Sequence, residues 1–215
     1  MAAESTRSGG CEPRHNGTSL MHHEVYHLFQ TICRGLQLTG PVLEVGAVAG
    51  NDGLLQMECL AGVEERVGLN KEPQDSTLIL TGDANDMKCF RDGRFQAVLC
   101  NATLEHDRFF WKTLEEIHRV TAVGGYIVMG VPGYGEMGTP AYWPRLASLA
   151  HRFLRILPSD VLHAGTPTLG IHNFPGDYYR FSEQAVREVF LAGLTDIRIF
   201  RALNPPRFVG IGRKE

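Results

Sequence analysis

The chain has 215 residues, 43% of them hydrophobic and 21% charged, so it can build one domain with a sizeable core or two very small ones. Twenty-one Lys and Arg against 24 Asp and Glu leave a formal charge of −3, which gives no basic field to gather nucleic acid. The five cysteines, Cys11, Cys33, Cys59, Cys89 and Cys100, are odd in number, widely spaced and free of any C-x-x-C pair, which argues against a disulfide framework or a cysteine-rich zinc site. They read as small apolar residues of a reducing compartment.

Residues 1–18, rich in Gly, Ser, Pro and charge, read as a disordered leader before a single domain over 19–215. With no signal-like apolar core and no run of about 18 apolar residues, the expected location is cytoplasmic, with no transmembrane segment. Met21, Val25, Leu28, Phe29, Ile32 and Leu36 then recur at helical spacing. This first helix carries His23-Glu24-Val25-Tyr26-His27, a fit to the H-E-x-x-H signature of zinc proteases. At 100° per residue, however, His23 and His27 fall about 160° and 200° from the apolar stripe. A catalytic zinc helix turns its histidines into a cleft with a third ligand, so the expectation is an outward-facing pair and no metal site.

Beyond Gly40-Pro41 short apolar runs alternate with helical segments. VLEVG (42–46), RVGLN (66–70), TLIL (77–80), QAVLC (96–100) and YIVMGV (126–131) have the length of buried strands. Phe110, Leu114, Ile117 and Val120 form a helical stripe, with Gly124-Gly125 as its expected stop. Strand alternating with helix predicts a parallel sheet covered on both faces. After Val131 the rhythm breaks for about 50 residues. Within them Trp143, Leu146, Leu149, Phe153 and Leu157 share one helix face while Arg145, Arg152 and Arg155 lie on the other. Such a helix docks on the sheet, makes peripheral contact with a membrane or caps an apolar ligand. A helix over Ser182–Leu191 and strands near 195–201 and 207–212 complete the chain.

The first strand runs into Glu44-Val45-Gly46-Ala47-Val48-Ala49-Gly50, followed by Asn51-Asp52 as a candidate helix cap. Glycines just past a strand let the backbone turn sharply and approach a ligand. A dinucleotide site would want G-x-G-x-x-G with an acid about 20 positions on, whereas the spacing here is G-x-x-x-G and the second strand ends in Asn70.

Taken in order, VLEVGAVAG, RVGLNKEP, LTGDANDM, LCNATLEHDRFF, LEEIHRVTAVGGYIVMGVPG and IHNFPGDYYRFS resemble the successive motifs of class I S-adenosylmethionine-dependent methyltransferases. The last of them is similar to the small-molecule branch that includes the quinone methyltransferases. The resemblance implies a Rossmann-like α/β three-layer sandwich: a seven-stranded, mostly parallel sheet with helices on both faces and a lid insertion, residues 133–181, after the fifth strand. It implies S-adenosyl-L-methionine as cofactor, S-adenosyl-L-homocysteine as product and a small-molecule acceptor, in a monomer or homodimer. By the same resemblance, cofactor contacts fall on Glu44, Gly46, Ala47, Gly50, Asn70, Lys71, Asp83, Ala84, Asn101 and Ala102, with Met87 beside the adenine.

Methyl transfer is an in-line displacement that needs positioning, and a base only where the acceptor must lose a proton. Glu105 and His106, just past the fourth strand, are the catalytic candidates, with simple packing of His106 as the alternative. His172, Tyr178, Tyr179 and Arg180 are the acceptor-binding candidates; alternatively Arg180 pairs with a local acid and the tyrosines are core. Two positions depart from the family pattern. Val48 stands where a glycine is usual, and Asn70 where an acid usually binds ribose. They leave open a protein that binds the cofactor without transferring a methyl group.

Overall fold

The computed structural model describes residues 21–50, 53–134 and 176–215. The 1–18 leader, the Trp143–Leu157 stripe and His172 lie outside them. The first helix, α1 (His23–Leu36), starts where His22 Nδ1 accepts the Glu24 N–H at 3.3 Å and ends at Gln37 in left-handed geometry, φ 50°. Its buried side is Val25, Phe29, Ile32 and Cys33, while His23 and His27 are exposed, so the H-E-x-x-H residues face away from the sheet.

Seven strands form one sheet: β1 (Val42–Val45), β2 (Arg66–Asn70), β3 (Ile79–Thr81), β4 (Phe95–Asn101), β5 (Thr121–Pro132), β6 (Thr195–Ala202) and β7 (Arg207–Arg213). Their order is β3-β2-β1-β4-β5-β7-β6, parallel from β3 to β5, with β7 antiparallel to both β5 and β6. The expected seven-stranded, mostly parallel sheet is therefore present. Chain order reverses between β1 and β4, and ligands of open α/β sheets bind outside the carboxyl ends of the strands at such a point. One apolar core packs under α1, with Phe29, Leu99, Val128 and Val209 in it. The other lies beneath α2 (Phe110–Val120) and the C-terminal helix, with Val98, Ile117, Met129 and Phe190.

Three local expectations differ from the structure. The stop of α2 is Thr121, whose hydroxyl and N–H both reach back to the Ile117 carbonyl, the hydroxyl at 2.6 Å; Gly124-Gly125 lie inside β5 at an irregularity in its pairing with β4. No α-helix follows the glycine turn among the described residues. Two 3-10 turns, Leu54–Gln56 and Glu58–Leu60, stand there instead, because Gly53 and Met57 hold extended ψ values of 148° and 133° that interrupt a helix. Finally, the C-terminal helix is a single α-turn, Glu183–Ala185, capped by the Ser182 hydroxyl, that widens into the π-helical Val186–Phe190.

The ends of the 133–181 insertion meet. The Phe181 N–H donates to the Pro132 carbonyl at 3.0 Å, and Gly133 bridges Phe181. The chain thus leaves and rejoins the sheet at the carboxyl end of β5, next to the reversal point. No helix among the described residues is long and apolar enough to cross a membrane.

Candidate functional site

At the carboxyl end of β1 the backbone turns on Gly46, whose φ of +82° favours glycine. A β-carbon there would lie 2.0 Å from Thr103 Oγ1, so the turn and the exit of β4 are in direct backbone-to-side-chain contact. Both the Gly46 and Ala47 N–H groups donate to the Leu69 carbonyl, at 2.8 and 3.1 Å. Gly50, φ +143°, differs: a β-carbon there would meet nothing within 4 Å. The turn is thus tight against protein at one end and open at the other.

The β2–β3 loop pins the turn from the side. Asn70 Nδ2 donates to the Ala47 carbonyl at 2.6 Å while its Oδ1 accepts the Glu72 N–H at 2.9 Å, and Gln74 Oε1 accepts the Ala49 N–H at 3.1 Å. The residue that departs from the family's acid therefore spends both ends of its amide on backbone. A carboxylate has no proton to give Ala47, and would set two oxygens against each other. Asn70→Asp is expected to lower the unfolding free energy by about 1–3 kcal/mol and to weaken S-adenosylhomocysteine binding. Denaturant unfolding and calorimetry read these, and tighter binding would restore Asn70 to the sugar.

Glu44 lies behind the turn, buried, its Oε2 accepting the Leu55 N–H at 3.1 Å. Burial pushes its carboxyl from 4.5 up to about 7, against the pull of the Leu55 and Leu54 N–H groups. The folded chain therefore keeps a proton that the unfolded chain gives up. This contribution to stability is complete below pH 4.5 and is lost as the pH rises through about 7. Glu44→Gln should flatten the fall in stability across that window, measured by denaturant unfolding at a series of pH values. A mutant curve parallel to that of the wild type would mean Glu44 does not titrate there.

Across the switch point, β4 ends in Asn101, whose buried Oδ1 has no hydrogen-bond partner. Ala102 follows at φ +51°, a conformation that costs a non-glycine residue energy and concentrates at sites, with its N–H on the Gly130 carbonyl at 3.0 Å. The 3-10 turn Leu104–His106 then places Glu105 and His106. Glu105 is 0% exposed and neither carboxylate oxygen is hydrogen-bonded; Arg207 Nη1, from the start of β7, stands 3.6 Å away. Burial pushes this carboxyl upward, opposed by its own backbone N–H and by Arg207. His106 Nδ1 bonds the Gly176 carbonyl. A carbonyl can only accept, so Nδ1 carries a proton and Nε2 is the nitrogen left for proton exchange.

The returning end of the insertion is locked onto this turn. Tyr178 and Tyr179 N–H groups donate to the Glu105 carbonyl at 2.8 and 3.3 Å. Arg180 pairs with Asp177, one contact being Nη2 to Oδ2 at 2.7 Å, and its Nη1 also donates to the Tyr179 carbonyl at 2.7 Å. Tyr179 packs on Phe110 at 5.0 Å between centroids and donates its hydroxyl to the Arg108 carbonyl at 3.0 Å. Tyr178 is exposed, with the Arg108 guanidinium 5.6 Å over its ring. The alternative of a locally paired Arg180 and a packed Tyr179 is the arrangement seen; Tyr178 keeps an open face.

At the far side of β1, Asp83 is exposed with Oδ1 accepting the Asn85 N–H at 2.9 Å, Ala84 is half-buried, Lys71 is exposed, and Met87 is buried in the core. Asn85 and Thr113 both donate to Asp107 Oδ2, at 2.7 and 2.6 Å, tying the exit of β3 to the loop after β4. Gln74, Asp107 and Arg207 have no sequence signal pointing to them, since each acts on partners brought close by the sheet. An open turn at Gly50 and an unpartnered acceptor at Asn101 fit a ligand that approaches bare backbone and donates a hydrogen bond. Asn70 is held by backbone at both ends of its amide.

The methyltransferase-domain family model matches residues 48–129. No curated protein matches the sequence. Among solved structures, 1,6-didemethyltoxoflavin-N1-methyltransferase from Burkholderia thailandensis is 16% identical, with 88% of this chain and 77% of that one covered at a TM-score of 0.59. The N-methyltransferase NodS from Bradyrhizobium japonicum, solved with S-adenosylhomocysteine, is 12% identical, with 95% and 93% covered and the same TM-score.

Proposed function

We propose that this chain, a class I S-adenosylmethionine-dependent methyltransferase by its matched domain and its fold, passes the methyl group to a small-molecule acceptor bound beneath the 133–181 insertion. The observation that carries this reading is the bond from His106 to Gly176. It joins the residue best placed to take a proton to the stretch beginning at Gly176, which returns to the carboxyl end of β5.

When bound, the cofactor supplies an electrophilic methyl group. Gly46, Ala47 and Gly50 would hold it along bare backbone, Asn101 Oδ1 would accept a hydrogen bond from it, and Asp83 with Ala84 would border its base. Asn70 and Gln74 hold the turn in shape rather than touching the sugar. His106, with Nδ1–H fixed on Gly176, turns a basic Nε2 to the acceptor and removes its proton as the new bond forms. Glu105 stays buried; its main-chain carbonyl anchors the returning segment and its carboxyl faces Arg207. Tyr178 and His172 are the remaining candidates to touch the acceptor. The proposed location is the cytoplasm, in keeping with four free cysteines among the described residues.

Incubation with S-adenosylmethionine and a panel of small amines, phenols and heteroaromatic compounds, with S-adenosylhomocysteine measured by mass spectrometry, tests the reading. Product formed only with particular acceptors supports it. Tight S-adenosylhomocysteine binding in calorimetry with no turnover across the panel would instead favour a binding protein without transferase activity.

A further inference from the structure

Two of the cysteines that look isolated in the sequence come together in the fold. Cys33, on the buried side of α1, and Cys59, in the second 3-10 turn after the glycine turn, lie on two elements that touch and pack in the same apolar cluster, and each thiol is the chief influence on the other's ionisation. Cys33 is 1% exposed and Cys59 only partly buried. The neighbouring residues pair in the same sense, Arg34 Nη2 standing 3.7 Å from Glu58 Oε2, both largely exposed. The two elements therefore meet along matched positions, one thiol pair inside and one charge pair outside.

From this geometry we propose that Cys33 and Cys59 form a peroxide-reactive dithiol, in which Cys59 attacks the oxidant and Cys33 resolves it to a disulfide. The Cys59 sulfur attacks one peroxide oxygen; the S–O bond forms, the O–O bond breaks, and the departing hydroxide leaves as water with a proton. The Cys33 sulfur then attacks the sulfenic sulfur of Cys59; the S–S bond forms, the S–O bond breaks, and the released hydroxide takes the Cys33 proton. Two thiols lose two electrons in all, and one peroxide becomes two waters.

The division of labour follows from the surroundings. The neighbouring Cys33 thiol brings the Cys59 thiol down to about 7 against partial burial, with Arg34 assisting, while Cys59 and burial push Cys33 upward. Cys59 is thus the reactive, reachable partner and Cys33 the enclosed one. The disulfide would fasten α1 to the segment whose Leu55 N–H holds Glu44, directly behind the glycine turn.

The test treats the full-length reduced chain with hydrogen peroxide, alkylates the remaining thiols, and maps peptides without reductant. The expected result is a Cys33–Cys59 cross-linked peptide, loss of two of the five thiols, and recovery of both with dithiothreitol. Cys33→Ser should abolish the cross-link and leave Cys59 as a sulfenic acid that dimedone traps. Oxidation of the exposed Cys89 while Cys33 and Cys59 stay alkylated, or oxidation of Cys59 in the wild type without linkage to Cys33, would overturn the proposal.

Discussion

Gly46→Ala is expected to abolish S-adenosylhomocysteine binding and to lower the unfolding free energy by about 2–5 kcal/mol, the sum of two costs. An alanine at φ +82° sits in left-handed backbone, which costs roughly 1–2 kcal/mol. Its β-carbon also lands 2.0 Å from Thr103 Oγ1, an overlap that must push the exit of β4 away from β1, and overpacking of this kind costs about 1–3 kcal/mol. Thr103 cannot simply rotate clear, because its Cβ and Cγ2 lie 2.9 Å from the same point. Moving it also disturbs its contacts to the Val45 and Asn101 carbonyls and the strained Ala102 that precedes it. The loss of binding therefore exceeds what stability alone would cause, since both walls of the site shift.

A second substitution separates the two costs. Adding Thr103→Ala to Gly46→Ala removes the Oγ1 and Cγ2 overlap and leaves the backbone strain and the 2.9 Å contact with the Cβ of residue 103, so stability should recover in part and binding should return weakly. Chemical unfolding and calorimetry read both. Gly46→Ala with wild-type stability and affinity would mean that the turn is not the cofactor cradle and that the close packing with Thr103 carries no weight.

The central strands were readable because Val98–Cys100 and Ile127–Met129 are uninterrupted apolar runs and Val42–Val45 is broken only by Glu44, so none needs a partner in order to be recognised. The glycine turn was readable for a related reason, since Gly46 and Gly50 do something no other residue does at low cost. The details that define the site are different in kind. Asn70 looked like a weakened ribose ligand in the linear pattern; its bond to the Ala47 carbonyl, 2.6 Å from its amide, is set by packing β1 beside β2. Thr121 ended α2 ahead of the more conspicuous Gly124-Gly125 because a hydroxyl bond to the Ile117 carbonyl competes directly with the next helical turn. Likewise the Cys33–Cys59 contact joins two separate elements through their packing, and spacing rules for cysteines look only along the chain.

His106→Ala should lower turnover on a competent acceptor by about 100-fold or more, the usual contribution of a positioned general base. Cofactor affinity should change little, because no cofactor contact is assigned to the imidazole. Alanine, however, removes two things at once: the basic Nε2 and the Nδ1–H bond that ties the turn after β4 to the returning insertion at Gly176. His106→Asn separates them, since the asparagine Nδ2 can take the place of Nδ1–H and donate to the same carbonyl while offering no base. If proton removal is the function, the asparagine variant should be as slow as the alanine variant while its acceptor KM stays near that of the wild type, and the alanine variant should show a raised KM as well. Turnover by His106→Asn equal to the wild type would make His106 an anchor of the insertion, and would mean the acceptor reaches the methyl group with its lone pair already exposed, as a neutral amine or a ring nitrogen does.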